Sequence, residues 1–249
     1  MLSFLGDSWC DPPARVSLNP GELQVWRGAL DVSEPARCAL WRLLSPMERA
    51  RADRFVLPLH RNRFTVARGL LRTILARYTG APAQELEFEY GEFEKPLLAG
   101  AFRTRDTRFN LSHSHELALF AIARGREVGI DLERIRPDVK HRSIAERYFC
   151  SAEAEALRRL PRSSQCAAFF AVWTRKEAYV KARGEGLSYP FDRFRVSVPP
   201  ERPLALLSNE LDPRDVSRWG LTDLCVAPGY RATIALEQAA ATVELDPVV

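Results

Sequence analysis

The feature that most restricts the fold of this chain of 249 residues is a recurrence in the order of its elements. After a strand at Leu23–Leu30, Ser33–Leu44 reads as a short helix opened by Ser33 and Pro35. Ser45-Pro-Met-Glu48 then has the capping-box pattern, in which the hydroxyl and the carboxylate satisfy orphan N–H groups at the start of a helix running to about Phe55. A second helix follows from about Leu59 to Tyr78, with Phe64, Leu70, Leu71, Ile74 and Leu75 as its apolar stripe and Gly80 as its stop. Next come an alternating strand, Leu86–Tyr90, a loop carrying Glu94-Lys95-Pro96, an extended segment Phe109–Ser114, the apolar strand Leu117–Ala123, and a turn at Gly125.

The second half opens with a strand at Val128–Glu133 and repeats the order. It has a helix near His141–Phe149, another from Ser151, a long helix Ser163–Arg183 and a strand Phe194–Val198, while Tyr230–Glu237 matches the strand at Leu117. Elements recurring at roughly a hundred residues predict an α+β fold of two pseudo-symmetric α/β halves, residues 1–125 and 126–249. Two such halves facing each other place a ligand cleft at their junction. The last fifty residues offer no usable motif, and Leu211–Trp219 reads as an insertion outside the core.

A hydrophobic fraction of 46% and a charged fraction of 27% are those of a globular chain that folds without help from disulfides or metal. The five cysteines, Cys10, Cys38, Cys150, Cys166 and Cys225, are odd in number and lack a C-x-x-C pair, which fits a reducing cytoplasm. No apolar run reaches the ~20 residues that span a bilayer, and Met1 to Trp9 does not resemble an export leader. The net charge of +4 is modest, but arginines crowd Arg49 to Arg77, either as solvated helix faces or as a surface for a polyanion.

Three segments carry residue types suited to chemistry on a pyrophosphate. In Val128-Gly-Ile-Asp131-Leu-Glu133 a strand points Asp131 and Glu133 to one face, where two repelling carboxylates suit a hard divalent cation, although D-x-E alone is usually a solvated edge. In Trp173-Thr-Arg-Lys176-Glu177-Ala-Tyr-Val-Lys181, a helix ended by Gly184 and Gly186 aligns Trp173, Glu177 and Lys181 at successive i, i+4 positions. By itself that stripe is a surface ion pair. In Asn110-Leu-Ser112-His113-Ser114-His115 an extended chain would put His113 and His115 on one face, as zinc or iron ligands lacking a third partner, or His113 alone as a donor to phosphate beside Ser112 and Lys95.

In this order and spacing the segments resemble the Sfp-type 4′-phosphopantetheinyl transferases, whose patterns are G-I-D-[IL]-E, W-x-x-K-E-x-x-x-K, N-[IL]-S-H-S and a Lys-Pro pair. The resemblance spans about Ser45 to Val198. It implies a magnesium-dependent enzyme, with Mn²⁺ as a substitute metal, that moves the phosphopantetheine arm of coenzyme A onto a serine of an apo carrier protein or carrier domain of fatty-acid, polyketide or nonribosomal-peptide synthesis. Adenosine 3′,5′-bisphosphate is the expected leaving product.

The same resemblance implies that Asp131, Glu133 and Glu177 hold the metal and that Glu177 is the base. Lys181 would neutralise charge on the phosphates, and Lys176, Lys95, Ser112 and His113 would bind phosphate oxygens or the nucleotide. Arg51 and Arg63 fall at basic positions for the 3′-phosphate. Two residues depart from the family: Glu94 stands where glycine precedes Lys95-Pro96, and Glu48 stands where a base is usual.

A metal-dependent phosphodiesterase or nucleotidyl transferase could use the same three carboxylates. A coenzyme A or nucleic-acid binding module would leave them idle, and a nucleic-acid binder should be more basic. The expectation is a cytoplasmic monomer that binds neither nucleic acid nor membrane, since two halves in one chain can build a site without a partner subunit.

Overall fold

The computed structural model describes residues 2–5, 9–12, 16–91, 95–201 and 203–238. Glu94, expected in the loop before Lys95, lies outside them. The first half contains β1 (Leu2–Leu5), β2 (Trp9–Cys10), β3 (Leu23–Ala29), α1 (Glu34–Leu43), α2 (Pro46–Asp53), α3 (Pro58–Thr79), β4 (Phe88–Tyr90), β5 (Pro96–Leu98), β6 (Thr107–Ser114) and β7 (Leu117–Arg124). The second contains β8 (Val128–Arg134), α4 (His141–Tyr148), α5 (Ser151–Arg159), α6 (Arg162–Arg183), β9 (Phe194–Val196), β10 (Leu206–Asn209), α7 (Asp215–Arg218), β11 (Trp219–Leu224) and β12 (Tyr230–Glu237). The fold is α+β, and each half contributes one 22-residue helix, α3 or α6, packed on an antiparallel sheet.

The first sheet has the order β2-β1-β3-β7-β6 and the second β11-β12-β8, so β6 and β8 are the edges through which the halves meet. β7 is buried on both faces. Ala118, Phe120 and Ile122 pack with Trp26 and the apolar residues of α3, whereas Leu119, Ala121 and Ala123 pack against Val128, Ile130 and Leu132 of β8 and Ala232 and Ile234 of β12. This is why its sequence is a continuous apolar run without alternation.

Both long helices stop at a left-handed glycine, Gly80 at φ 72° and Gly184 at φ 76°, where a Cβ would be strained. At Ser45 the capping box forms in full: its Oγ accepts from the Glu48 N–H at 3.3 Å, and Glu48 accepts from the Ser45 N–H at 2.9 Å. Glu48 does more than its sequence context suggests. It is buried and ion-paired to Arg68 at 2.8 Å and Arg72 at 2.7 Å, tying α2 to α3. Burial opposes ionisation, but the two guanidiniums and the Ser45 N–H outweigh it and hold the carboxyl below its ordinary value.

The expectation that Leu211–Trp219 is an insertion is corrected. Asp215 is fully buried and accepts hydrogen bonds from Trp219 Nε1 at 3.0 Å, Tyr179 Oη, Arg183 Nη1 and Asn209 Nδ2. This segment clamps the end of α6, although neither period nor motif in the sequence marks a residue that acts through distant side chains. β1, β2, β10 and β11 were likewise missed.

Candidate active site

The junction of the halves is a seam of side chains. The alternation of β6 turns Asn110, Ser112 and Ser114 toward β8. Asn110 Oδ1 accepts from the Ile130 N–H at 2.8 Å, Ser112 Oγ from Leu132 at 3.2 Å, and Ser114 Oγ from Arg134 at 3.1 Å. Three polar side chains thus satisfy the edge that a neighbouring strand would otherwise satisfy. Both serine hydroxyls then donate onward, Ser112 to Asp131 Oδ1 at 2.9 Å and Ser114 to Glu133 Oε2 at 3.0 Å. The seam that joins the halves therefore also orients the two carboxylates. No motif assigns Asn110 or Ser114 a role, although the i, i+2 spacing of the serines matches that of the acids.

On the other side of these carboxylates lies α6. Gly129 makes its approach feasible: a Cβ there would lie inside contact distance of the Ala178 carbonyl oxygen and the Ala182 amide nitrogen. With the helix this close, Lys181 Nζ reaches Asp131 Oδ1 at 2.6 Å and Ser112 Oγ at 3.1 Å. Desolvation works against the ammonium, but Asp131 and Glu177 hold its pKa above the ordinary lysine value. The i, i+4 stripe is thus no surface pair, because Glu177 is buried and Lys181 pairs with the strand. Trp173 stays in the core, its ring within 6.2 Å of those of Phe149, Phe169 and Phe191.

Glu177 is the most perturbed carboxyl here. Burial, with Asp131 and Glu133 adding to it and Lys181 opposing, pushes its pKa up to about 7. Glu133 is also raised, first by burial and then by Asp131. Two acids with raised pKa beside Asp131, whose buried Oδ2 lacks a hydrogen-bond partner, offer the oxygen chemistry that a hard divalent cation takes. Among the described residues no group of three or more His, Cys, Asp or Glu side chains stands, as placed, where it could hold a metal ion. Lys181 is the cation that Asp131 holds.

Two clefts flank His113 and share it with Phe55 and Phe64. The first, about 340 Å³, is lined by Arg51, Arg68, Tyr90, Lys95, Lys181 and Gly184 among others. Lys95 Nζ sits there against Glu127 at 3.1 Å and the Val128 and Ala182 carbonyls at 3.3 Å, its pKa lowered by burial. The second, about 490 Å³, includes Arg63, Ser114 and Glu133. Arg63 lines this second cleft and not the first, and it grips Asp31 through Nε and Nη2, both at 2.8 Å. Desolvation and the charges of Lys181, Arg63 and His60 hold His113 below the ordinary imidazole pKa, so it is neutral near pH 7.

Two expectations need correcting. Lys176 does not face a ligand. Its ammonium is fully buried against Glu153 at 2.8 Å and the Phe191 and Phe194 carbonyls at 2.7 Å, and it lines neither cleft. His115 does not share a strand face with His113, because β6 ends at Ser114 and His115 turns at φ 54°.

Comparison with known proteins accords with this arrangement. Residues 127–235 match the 4′-phosphopantetheinyl transferase superfamily, and residues 32–124 match the 4′-phosphopantetheinyl transferase N-terminal family. The chain is similar to the 4′-phosphopantetheinyl transferase HetI of Nostoc sp., at 39% identity over 94% of this chain and 95% of that protein. It is 33% identical to a putative 4′-phosphopantetheinyl transferase of Synechocystis sp., over 80% of this chain and 78% of that one. Against the 4′-phosphopantetheinyl transferase Sfp of Bacillus subtilis the identity is 28%, over 77% of this chain and 81% of Sfp. With its motifs gathered at one junction and its likeness sustained along nearly the whole length of HetI, the chain belongs to the 4′-phosphopantetheinyl transferase superfamily.

Proposed function

We propose that this enzyme transfers the 4′-phosphopantetheine group of coenzyme A to a serine of an apo carrier protein, with residues 1–125 and 126–249 as the halves that enclose the site. The observation that carries the reading is the meeting of Glu177, Asp131, Glu133 and Lys181 beside a cleft walled by cationic side chains. A carboxyl with a pKa of about 7 is suited to general-base work near neutrality.

In the reaction the serine Oγ forms a bond to the β-phosphorus as the bond from that phosphorus to the bridging oxygen breaks, and Glu177 takes the hydroxyl proton. The leaving group departs as adenosine 3′,5′-bisphosphate. Lys181 donates to phosphate oxygens as their charge grows, and neutral His113 donates a hydrogen bond in the same region while Ser112 supports Asp131. Lys95 and Arg51, in the first cleft, are suited to the nucleotide end of coenzyme A. Asp131, Glu133 and Glu177 would hold Mg²⁺ or Mn²⁺, which supplies charge neutralisation on the pyrophosphate. Among the described residues no helix is long and apolar enough to cross a membrane, and the proposed enzyme acts as a cytoplasmic monomer.

The test is intact-protein mass spectrometry of an apo carrier protein incubated with the enzyme, coenzyme A and Mg²⁺. A gain of one phosphopantetheine that is lost with EDTA and with Glu177→Gln supports the proposal. No gain on fatty-acid, polyketide and peptide carriers, despite coenzyme A binding, overturns it.

A further inference from the structure

Asp31 belongs to none of the motifs, yet the structure couples it to the second cleft. It stands just after β3, in a turn fixed by the Leu30 N–H donating to the Glu116 carbonyl at 2.7 Å. Its two oxygens accept from Arg63 Nε and Nη2, both at 2.8 Å, and this two-point grip sets the plane of the guanidinium that α3 carries. An ion pair lying wholly in solvent contributes little. This one is lopsided: the Asp31 side chain is 52% exposed and that of Arg63 only 17%, because Arg63 lines the cleft with His113, Ser114 and Glu133.

A guanidinium carries five N–H donors in one plane, so a grip on Nε and Nη2 leaves both N–H groups of Nη1 and one of Nη2 outside the pair. The charge still acts inside the cleft, where it helps to hold His113 below the ordinary imidazole value. Glu133 lines the same cleft. An Arg63 released from Asp31 therefore has a carboxylate to swing to, and each group would then be spent on the other.

We propose that Asp31 is a positioning residue: it holds Arg63 off Glu133 and presents the remaining guanidinium donors to a phosphate oxygen of coenzyme A. This rests on the coenzyme A binding proposed above. Asparagine keeps the shape of Asp31 but has neither its charge nor its second acceptor, so it cannot hold the fork. Glutamate keeps both oxygens on a longer stem and can.

The test is calorimetric titration of the full chain with coenzyme A in the presence of Mg²⁺. Asp31→Asn should weaken binding about tenfold, and in the transfer assay KM for coenzyme A should rise while KM for an apo carrier protein stays at the wild-type value. Asp31→Glu should recover most of the affinity. Arg63→Met should weaken binding at least as much, and Asp31→Asn/Arg63→Met no more than Arg63→Met alone, because Asp31 acts through Arg63. Melting temperatures should stay close to wild type for all of them. With 3′-dephospho-coenzyme A as the probe, an Asp31→Asn effect that disappears assigns the contact to the 3′-phosphate, and one that persists assigns it to the pyrophosphate.

Unchanged affinity in Asp31→Asn would overturn the positioning role, and so would losses that simply add in the double variant. Because binding is read without turnover, a wild type that binds coenzyme A but transfers nothing would sink the reaction and leave this inference standing. A wild type that does not bind coenzyme A would sink both.

Discussion

Replacing Glu177 by glutamine should make the metal-free protein more stable at neutral and alkaline pH while abolishing transfer. Glutamine keeps the shape of the side chain and removes its charge. In the native protein the Glu177 pKa is about 7 against an ordinary value of 4.5. The folded state therefore holds this proton more tightly than the unfolded chain does. The stability that protonation confers is fully present below pH 4.5 and is lost as the pH rises toward 7. At about 1.4 kcal/mol per unit, the loss reaches about 3 kcal/mol above pH 7. For a chain of this size that corresponds to a melting temperature about 6–12 °C higher for Glu177→Gln than for wild type at pH 8 in EDTA. Below pH 4.5 the difference should be smallest. Urea titrations of both proteins at pH 4.5, 6, 7 and 8 in EDTA read this directly. Parallel stability profiles would refute the reasoning, because they would mean that Glu177 is solvated and not in conflict with Asp131 and Glu133.

Gly129→Ala should cost about 1–3 kcal/mol and lower kcat, because the methyl forces α6 away from β8 and separates Lys181 from Asp131; unchanged denaturation midpoint and rate would contradict the close approach. Ser114→Ala leaves the Arg134 N–H without its acceptor and Glu133 without its donor, so a loss of about 1–3 kcal/mol is expected by denaturation, with a higher Mg²⁺ requirement in the transfer assay. Lys176→Met should destabilise the fold by about 3–5 kcal/mol by stranding Glu153, and the folded fraction should bind coenzyme A with wild-type affinity in calorimetry. Lys95→Ala should weaken coenzyme A binding about tenfold or more, whereas an unchanged affinity would remove Lys95 from the nucleotide cleft.

Elements held by local forces were legible in the sequence. Periodicity located α3 and α6, the left-handed glycines ended them, and the Ser45–Glu48 pattern predicted a capping box that forms in full. It also supplied Asp131, Glu133, Glu177 and Lys181, because residues spaced by two on a strand or four on a helix must share a face.

Which charges meet depends on the packing of one element against another. Whether Lys181 pairs along its own helix or across to Asp131 depends on how near α6 lies to β8, and Gly129 controls that distance. Lys176, one residue from Glu177, rotates about 100° to the far side of the helix and into a buried pair with Glu153, an acid whose place no local pattern could assign. The same holds for Asp215, an unmarked residue that binds four elements together, and for Glu48, whose arginine partners are twenty and twenty-four residues away. Local sequence fixes which way a side chain faces along its own element; only packing brings a second element to within hydrogen-bond range and so decides whether a charge is solvated, structural or available for chemistry.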